Sequence, residues 1–362
     1  MTTYEYLPAD KTYIHMATGS QTDSADLTAW DNGQAALVVG ELNEMDVWRG
    51  GGYVETDPVY EPFFDTPDDF YRNQVLRGRT LGSLRGRFYF QTGILSYFTV
   101  QDCTTTEATP NTHTITADTT NLDEALIRAA FHIEKESPTG NIEKRADLMG
   151  MINPQLTISC SERQTIATQD FSANFAYVNT VAGDLGKTDT LGLTNYAPYT
   201  WFNLRNGGLT FTYGGTDVAF KIMGIQIRMR WNSYELDNLD SSAYPTDGRH
   251  IPPFIWEVIL QGRSYDDAAD QSLWGIKDES LTASAYSGGD LDFEADFKIS
   301  ATHYCKFTFD KCYLDPNFEV QVQGDNSWYT GHQIRLLPIG SSSSLTIEEK
   351  NGLNNDYYEN PA

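Results

Sequence analysis

The feature that most constrains this chain is a strict alternation of apolar and polar residues that recurs along most of its length. In residues 156–161 the even positions are apolar and the odd positions are polar. The same pattern occurs in the segments 171–177, 225–231, 254–260, 291–299 and 318–322. A period of two places successive side chains on opposite faces of a strand. These segments therefore predict antiparallel β-strands with one buried and one exposed face.

An all-β sandwich is the fold class that this pattern favours. Packing two sheets face to face is the simplest way to bury many one-sided strands. The chain has 362 residues, 40% of them hydrophobic and 13% aromatic, which suffices for two cores. Helical signals are short, at 65–76, 121–125 and 265–274. We predict an all-β chain of two tandem β-sandwich domains with short flanking helices.

A domain boundary is predicted where the alternation lapses. Residues 179–200 are dominated by Gly, Thr, Asp and Asn. We place the first domain at 1–182, the second at 183–340 and a C-terminal tail at 341–362, with at most one short strand at 345–347. Met149-Gly150 and Met223-Gly224 each stand at the entry of a long alternating strand, which indicates an internal duplication.

The net charge of −25 is the strongest compositional signal. Asp outnumbers Glu, Lys is scarce, and the acids are spread along the whole chain. This composition argues against nucleic-acid binding, which needs basic surfaces to neutralise phosphates. It suits a surface that must not retain DNA, and equally a protein from high salt, where self-repulsion is screened.

No targeting or membrane segment is recognisable. The first residues lack a basic region followed by an apolar stretch, and no run approaches the roughly 20 apolar residues of a membrane helix. We expect synthesis and folding in the cytoplasm, with no membrane partner.

No constellation of residues predicts catalysis. The six histidines are dispersed, and HExxH, GxSxG, CxxC and phosphate-binding glycine loops are all missing from the sequence. Cys103, Cys160, Cys305 and Cys312 lack metal-ligand spacing, so buried free thiols are expected. The acidic groups at 65–69 and 266–270 could bind a hard cation, although a helix start and a solvated turn explain them better. We predict no catalytic residue, no cofactor and no metal.

Two long connections, 50–67 and 232–253, are the expected contact segments. The aromatic residues in and beside the first connection could dock on a neighbouring subunit or could stack on sugars, and we favour docking on a subunit. These residues are Trp48, Tyr53, Tyr60, Phe63 and Phe64. The second, which we expect to be mobile in the free subunit, supplies Tyr234, Leu236, Leu239 and Tyr244. Arg228 and Arg230 share a strand's exposed face, where they either pair with surface acids or cross a seam between subunits.

Several packing patterns resemble the tail tube proteins of long-tailed phages and archaeal viruses. The run 86–95 is similar to the strand that enters the subunit body in that family. The His113-Thr114-Ile115-Thr116 segment is followed by a predicted strand at 127–136. Residues 147–151, with Gly150, precede Leu156-Thr157-Ile158-Ser159. In the second half, 301–309 and 312–314 resemble a further run of the family, whose last strand corresponds to 332–337.

The resemblance implies a structural role. In that family, sandwich domains with a small helix join their sheets edge to edge around a ring and line a lumen. The family usually has one tube domain, whereas two domains here would let three chains complete a ring of six. Long loops would reach the adjacent ring. The implied partners are further copies of the chain and tape-measure, tail-terminator and baseplate proteins, in the virion tail. DNA would pass without specific binding through a lumen that we expect to be acidic.

Two other classes remain open from the sequence. One is a β-sandwich carbohydrate-binding or carbohydrate-active protein, which would be a monomer with a carboxylate pair facing an aromatic cleft. The other is a different virion component, such as a decoration or baseplate protein. Microscopy of the concentrated protein distinguishes them, because only the tube protein forms tubes or stacked rings.

Overall fold

The computed structural model describes residues 12–17, 37–38, 42–54, 76–117, 130–136, 142–181, 197–236, 247–264, 276, 291–315, 330–339 and 345–351. Within them the chain is all-β, as predicted, with two antiparallel sheets and two short helices. The helices are α1 (Ile94–Val100) and α2 (Trp201–Arg205). The strands are β1 (Thr12–Ala17), β2 (Leu37–Val38), β3 (Leu42–Val54), β4 (Leu76–Tyr89), β5 (Gln101–Thr106), β6 (Asn111–Ala117), β7 (Ala130–Glu136), β8 (Ile142–Ser161), β9 (Thr168–Val181), β10 (Leu209–Tyr213), β11 (Thr216–Asp217), β12 (Phe220–Leu236), β13 (Asp247–Ser264), β14 (Leu291–Ser300), β15 (His303–Phe309), β16 (Cys312–Leu314), β17 (Thr330–Pro338) and β18 (Leu345–Asn351).

The larger sheet, sheet A, contains a continuous path of eight strands. Its order is β3-β4-β9-β8-β12-β13-β17-β16, and every neighbouring pair is antiparallel. One edge of β8 has two partners: the C-terminal part of β8 pairs with β12, and its N-terminal part pairs with β7. Strand β1 pairs with the other edge of β7, and β2 pairs with β1. Sheet A therefore branches at β8.

The eight-strand path consists of one four-strand topology used twice. In the first unit, strands β3, β4, β8 and β9 lie in the spatial order first, second, fourth, third. In the second unit, β12, β13, β16 and β17 lie in the same order. The boundary predicted after residue 182 falls between these units, although that boundary itself stays a prediction. The two Met-Gly pairs that indicated a duplication lie in strands with different places in the two units. Gly150 lies in β8, the third strand of the first unit, and Gly224 lies in β12, the first strand of the second unit.

The smaller sheet, sheet B, joins strands from both halves of the chain. Its order is β11-β10-β14-β15-β18-β6-β5. Strand β18 lies in the interior of this sheet, between β15 and β6, and its Ile347 and Glu349 are fully buried. Residues 345–351 are therefore an interior strand and not a tail, and this strand extends the short one expected at 345–347 to Asn351. The pattern indicated only its first residues, because polar Glu349 and Asn351 occupy the inward positions that follow Leu345 and Ile347.

A single core fills the space between the sheets. At its centre Phe90 packs against Tyr199 and Phe297, with ring centroids 4.9 Å and 5.0 Å apart. On β14, Leu291, Phe293, Ala295 and Phe297 are buried while the intervening residues are not, as the alternation predicts. Helix α1 is apolar on most of its surface, and all seven of its residues are buried.

Most predicted strands are confirmed, and the errors concern helices and connections. The segments 156–161, 171–177, 225–231, 254–260, 291–299 and 332–337 all lie in strands, and 130–136 confirms most of the strand expected at 127–136. The run 86–95 is a strand only to Tyr89, and α1 begins at Ile94. Neither α1 nor α2 was predicted. The helices expected at 121–125 and 265–274 and the strand at 318–322 lie outside the described residues, as does 65–75, after which Leu76 begins β4.

Candidate functional site

The two outer edges of the eight-strand path are the first candidate site for contact with another chain. Among the described residues, β3 pairs with β4 alone and β16 with β17 alone. An exposed strand edge presents unsatisfied backbone donors and acceptors and is a template for pairing with another chain. Strand β3 is the first strand of its unit and β16 the third strand of the other unit.

The chain already contains one joint between a third strand and a first strand. Strand β8, a third strand, pairs with β12, a first strand, from Gly224↔Ser161 to Arg230↔Gln155. On the core side of this joint, the opposed pairs Ile225/Cys160, Ile227/Ile158 and Met229/Leu156 are all buried. The unit-to-unit joint is thus a continuous antiparallel ladder over a packed apolar layer.

The exposed face of sheet A carries a line of ion pairs across its strands. Arg87 on β4 pairs with Asp170 on β9, with Nε 2.6 Å from Oδ1. Glu257 on β13 is shared by Arg228 on β12, at 3.3 Å, and by Arg335 on β17. Arg335 also reaches Asp315, at 3.3 Å. Arg228 therefore pairs with an acid of its own chain, which is one of its two predicted roles.

Cations outnumber carboxylates among the described residues of this face, although the whole chain is acidic. The carboxylates with described side chains are Asp170, Glu257 and Asp315, and the register of β3 adds Glu44 and Asp46 opposite Arg87 and Arg85. The cations with described side chains are Lys221, Arg85, Arg87, Arg228, Arg230, Arg263 and Arg335. Arg230 is exposed, and no described carboxylate lies within ion-pair distance of it. The exposed face of sheet B has the opposite balance, with Asp102, Asp292, Glu294, Asp296 and Glu348 against Lys298, Lys306 and Lys350.

The connection predicted at 232–253 is largely a β-ribbon. Strands β12 and β13 continue to pair from Asn232↔Ile251 to Leu236↔Asp247. Beyond Arg230 and Ile255 they have no other strand neighbour in the described part of the chain. We call residues 232–236 and 247–251 the ribbon. Tyr234 and Leu236 lie in it, whereas Leu239 and Tyr244 lie outside the described residues.

The aromatic residues of the first connection are only partly described. Trp48 and Tyr53 lie on β3, the outer edge strand of the first unit, opposite Ser83 and Arg77 of β4. Tyr60, Phe63 and Phe64 lie outside the described residues. The structure therefore places two of these five residues on an edge that is open to another subunit.

An apolar patch that the sequence analysis missed lies at the end of sheet A opposite the ribbon. The patch consists of Ile166, Phe202 and Ile299, exposed by 39%, 69% and 38%. Ile166 belongs to the turn between β8 and β9, Phe202 to α2, and Ile299 to the end of β14. The sequence signal was weak: Thr200 is a favoured N-cap residue, and the structure shows that its side chain and that of Asn203 form a capping box at the start of α2.

The thiols have the properties of packing groups and not of nucleophiles. Burial raises the pKa of Cys160 from 9.0 to about 12 and that of Cys103 to about 12. Burial also raises the pKa of Cys305 and Cys312. All four are free, and Cys160, Cys305 and Cys312 are buried as predicted, whereas Cys103 is only partly buried. Within the described residues, no three His, Cys, Asp or Glu side chains gather as a metal site would require.

No protein family matches the sequence, and no curated protein matches it. No helix in the described ranges is long and apolar enough to cross a membrane.

Proposed function

We propose that this protein is a structural virion component that polymerises into stacked rings forming the tube of a viral tail, a conduit for genome delivery. The observation that carries the proposal is the repeated four-strand unit of sheet A. Two units are joined edge to edge through β8, a third strand, and β12, a first strand. The strands at the two outer edges are again a third strand, β16, and a first strand, β3.

Ring closure follows from repeating the internal joint between chains. Strand β16 of one chain would pair with β3 of the next, as β8 pairs with β12 within the chain. The polarity of the strands permits this, because β16 runs parallel to β8 and β3 runs parallel to β12. A closed ring removes both exposed edges, which otherwise promote uncontrolled aggregation.

Three chains would make a wide barrel. Each chain contributes eight strands on the continuous path, so three chains give roughly 24 strands. With strands about 4.8 Å apart and tilted by about 40°, the backbone ring would be roughly 45–50 Å across. Barrels of 16 to 18 strands already leave an aqueous channel, so this barrel would be open.

The exposed face of sheet A would then line the bore. The acidic lumen expected from the net charge finds no support in the described part of this face, where cations outnumber carboxylates. Three of these cations are held in ion pairs with Asp170, Glu257 and Asp315, which reduces their attraction for phosphate. We still propose that DNA passes without sequence-specific contacts, and that tape-measure, tail-terminator and baseplate proteins are the other partners.

Disulfide trapping tests ring closure and its symmetry. Tyr313→Cys on β16 is combined in turn with Met45→Cys, Asp46→Cys or Val47→Cys on β3, since opposed strand residues have the Cβ separation that a disulfide needs. We expect at least one combination to give oxidised species that end at three chains, with threefold rings in micrographs. Tyr313→Cys alone is the control. A ladder ending at six chains, or a protein that remains monomeric at high concentration, would refute the proposal.

A further inference from the structure

Most of the exposed large hydrophobic side chains that the structure describes lie close to helix α2. Among the described residues, the large hydrophobic side chains that are exposed are Ile166, Phe202, Ile251 and Ile299. Three of these four form the patch at α2, and the fourth lies in the ribbon. Single exposed apolar residues are normal on a soluble protein, whereas several gathered together mark an interaction surface.

The patch is held rigidly by the backbone. Thr200 forms an antiparallel bridge with Ile166, and the Trp201 N–H donates to the Thr165 carbonyl at 2.7 Å. Asn203 Nδ2 donates to the Lys298 carbonyl at 3.1 Å, which ties α2 to the strand end that carries Ile299. Trp201 and Leu204 anchor the helix in the core and leave Phe202 outside.

The patch and the ribbon lie at opposite ends of the same strands. The Glu162 N–H donates to the Met223 carbonyl at 2.9 Å, so the β8–β9 turn adjoins the start of β12. The ribbon follows Arg230 and is paired as far as Leu236. Twelve residues of strand separate Gly224 from Leu236, which is roughly 40 Å at about 3.4 Å per residue. A contact between two different surfaces at opposite ends builds an open stack.

The patch and the ribbon carry opposite charges, and both contain apolar residues. The residues around the patch include exposed Arg163, Arg205 and Lys298, against exposed Glu162. The ribbon contains Glu235 and Asp247 against Arg249, and the sequence between its strands adds Asp237 and Asp240. The sequence of the ribbon also includes Tyr234 and Leu236, and its described apolar side chain, Ile251, is 45% exposed. Complementary charge around an apolar centre is typical of specific interfaces.

We infer that the patch of Ile166, Phe202 and Ile299 is the stacking site of this protein, and that its occupant is the β12–β13 ribbon of a second copy in the adjacent ring. The inference rests on the proposed function for the existence of rings, but it concerns a different surface from the sheet edges that close them. Phe202 is the central anchor, because it is the most exposed of the three and is fixed on a short, doubly tethered helix.

Charge substitutions on each surface test the inference. Phe202→Asp removes the anchor and should give threefold rings that do not stack, with the protein concentration needed for tubes raised about tenfold or more. Ile251→Asp should have the same effect from the ribbon side. Thr104→Asp, which adds the same charge on the exposed face of sheet B, is the matched control and should stack normally. If Phe202→Asp lowers the thermal midpoint, Phe202→Ser replaces it, with the same expected loss of stacking.

A mixing experiment shows whether the patch meets the ribbon or another patch. Phe202→Asp rings retain an intact ribbon, and Ile251→Asp rings retain an intact patch. A mixture should therefore give pairs of rings joined at one face, while each variant alone gives single rings. Stacking by Phe202→Asp at the wild-type concentration would overturn this inference and leave the proposed function standing. Failure of the wild-type protein to form rings would overturn the proposed function itself.

Discussion

Glu349 shows how one residue can depart from the strand pattern and still be required by the fold. It occupies an inward position on β18, opposite Cys305 on β15 and His113 on β6, and it is fully buried. Its Oε1 accepts the Gly93 N–H at 2.6 Å, directly before α1. A Cβ atom on residue 93 would lie 2.8 Å from Glu349 Oε2, so any other residue there would displace the carboxylate. The carboxylate therefore fixes α1 between the sheets.

Substitutions of Glu349 should lower the free energy of unfolding, and the loss should be larger when more of the side chain is removed. Glu349→Ala leaves the buried Gly93 N–H without its acceptor and opens a cavity, so we expect a loss of about 2–4 kcal/mol in the free energy of unfolding. Glu349→Gln keeps the volume and a carbonyl oxygen, so its loss should be smaller. Urea unfolding measures both.

The neighbouring carboxylate provides the control for this experiment. Glu348 lies on the opposite face of β18 and accepts the Tyr304 hydroxyl at 2.5 Å. Glu348→Ala should cost about 1 kcal/mol or less, because that site is partly hydrated. Equal stability of the two alanine variants would contradict the structural role of Glu349.

Among the elements, the long hairpins and the short β18 were the hardest to read from local pattern. Beyond Arg230, strands β12 and β13 are held together by their own ladder, and the apolar alternation there is limited to Tyr234 and Leu236, which is too short to predict a strand. Strand β18 is short, but it completes sheet B by pairing on both edges. An element's importance here depends on its neighbours more than on its length.

Removal of β18 should prevent folding. A chain that ends at Gly340 would expose the facing edges of β6 and β15 and uncover the core beside Ile115 and Phe307. We expect this truncation to aggregate or to lose cooperative thermal unfolding, as followed by circular dichroism. A chain that ends at Gly352 retains β18 and is the matched control. A soluble, cooperatively folded protein ending at Gly340 would show that β18 is dispensable.

At the scale of the whole molecule, charge is unevenly distributed. The net charge is −25, yet the described part of the exposed face of sheet A carries an excess of cations. Among the described residues, an excess of carboxylates is found instead on the exposed face of sheet B. Such a molecule repels its own copies except where a basic or apolar surface meets an acidic one.

The stability of the protein should therefore rise with salt at neutral pH. Raising the ionic strength from about 0.1 M to 1 M shortens the Debye length from about 10 Å to about 3 Å and screens the repulsion within the chain. We expect the thermal midpoint at pH 7 to increase by several °C between 0.1 M and 1 M KCl. At a pH near the pI of 4.4 the net charge is close to zero, and the increase should largely disappear. A midpoint at pH 7 that falls with salt would contradict this account.

The sequence alone determined the fold class, because a period of two fixes which side chains share a face in any strand, whatever its neighbours. It also determined that Cys160 is buried and that the strands at 225–231 and 291–299 each have one solvent-exposed face. Only the tertiary structure decided which strands pair, since backbone ladders carry no side-chain signature. It joined β8 to β12, placed β18 within sheet B and repeated one topology in two units. It also brought Ile166, Phe202 and Ile299 together, because three residues so distant in sequence become neighbours only through the packing of a turn, a helix and a strand end.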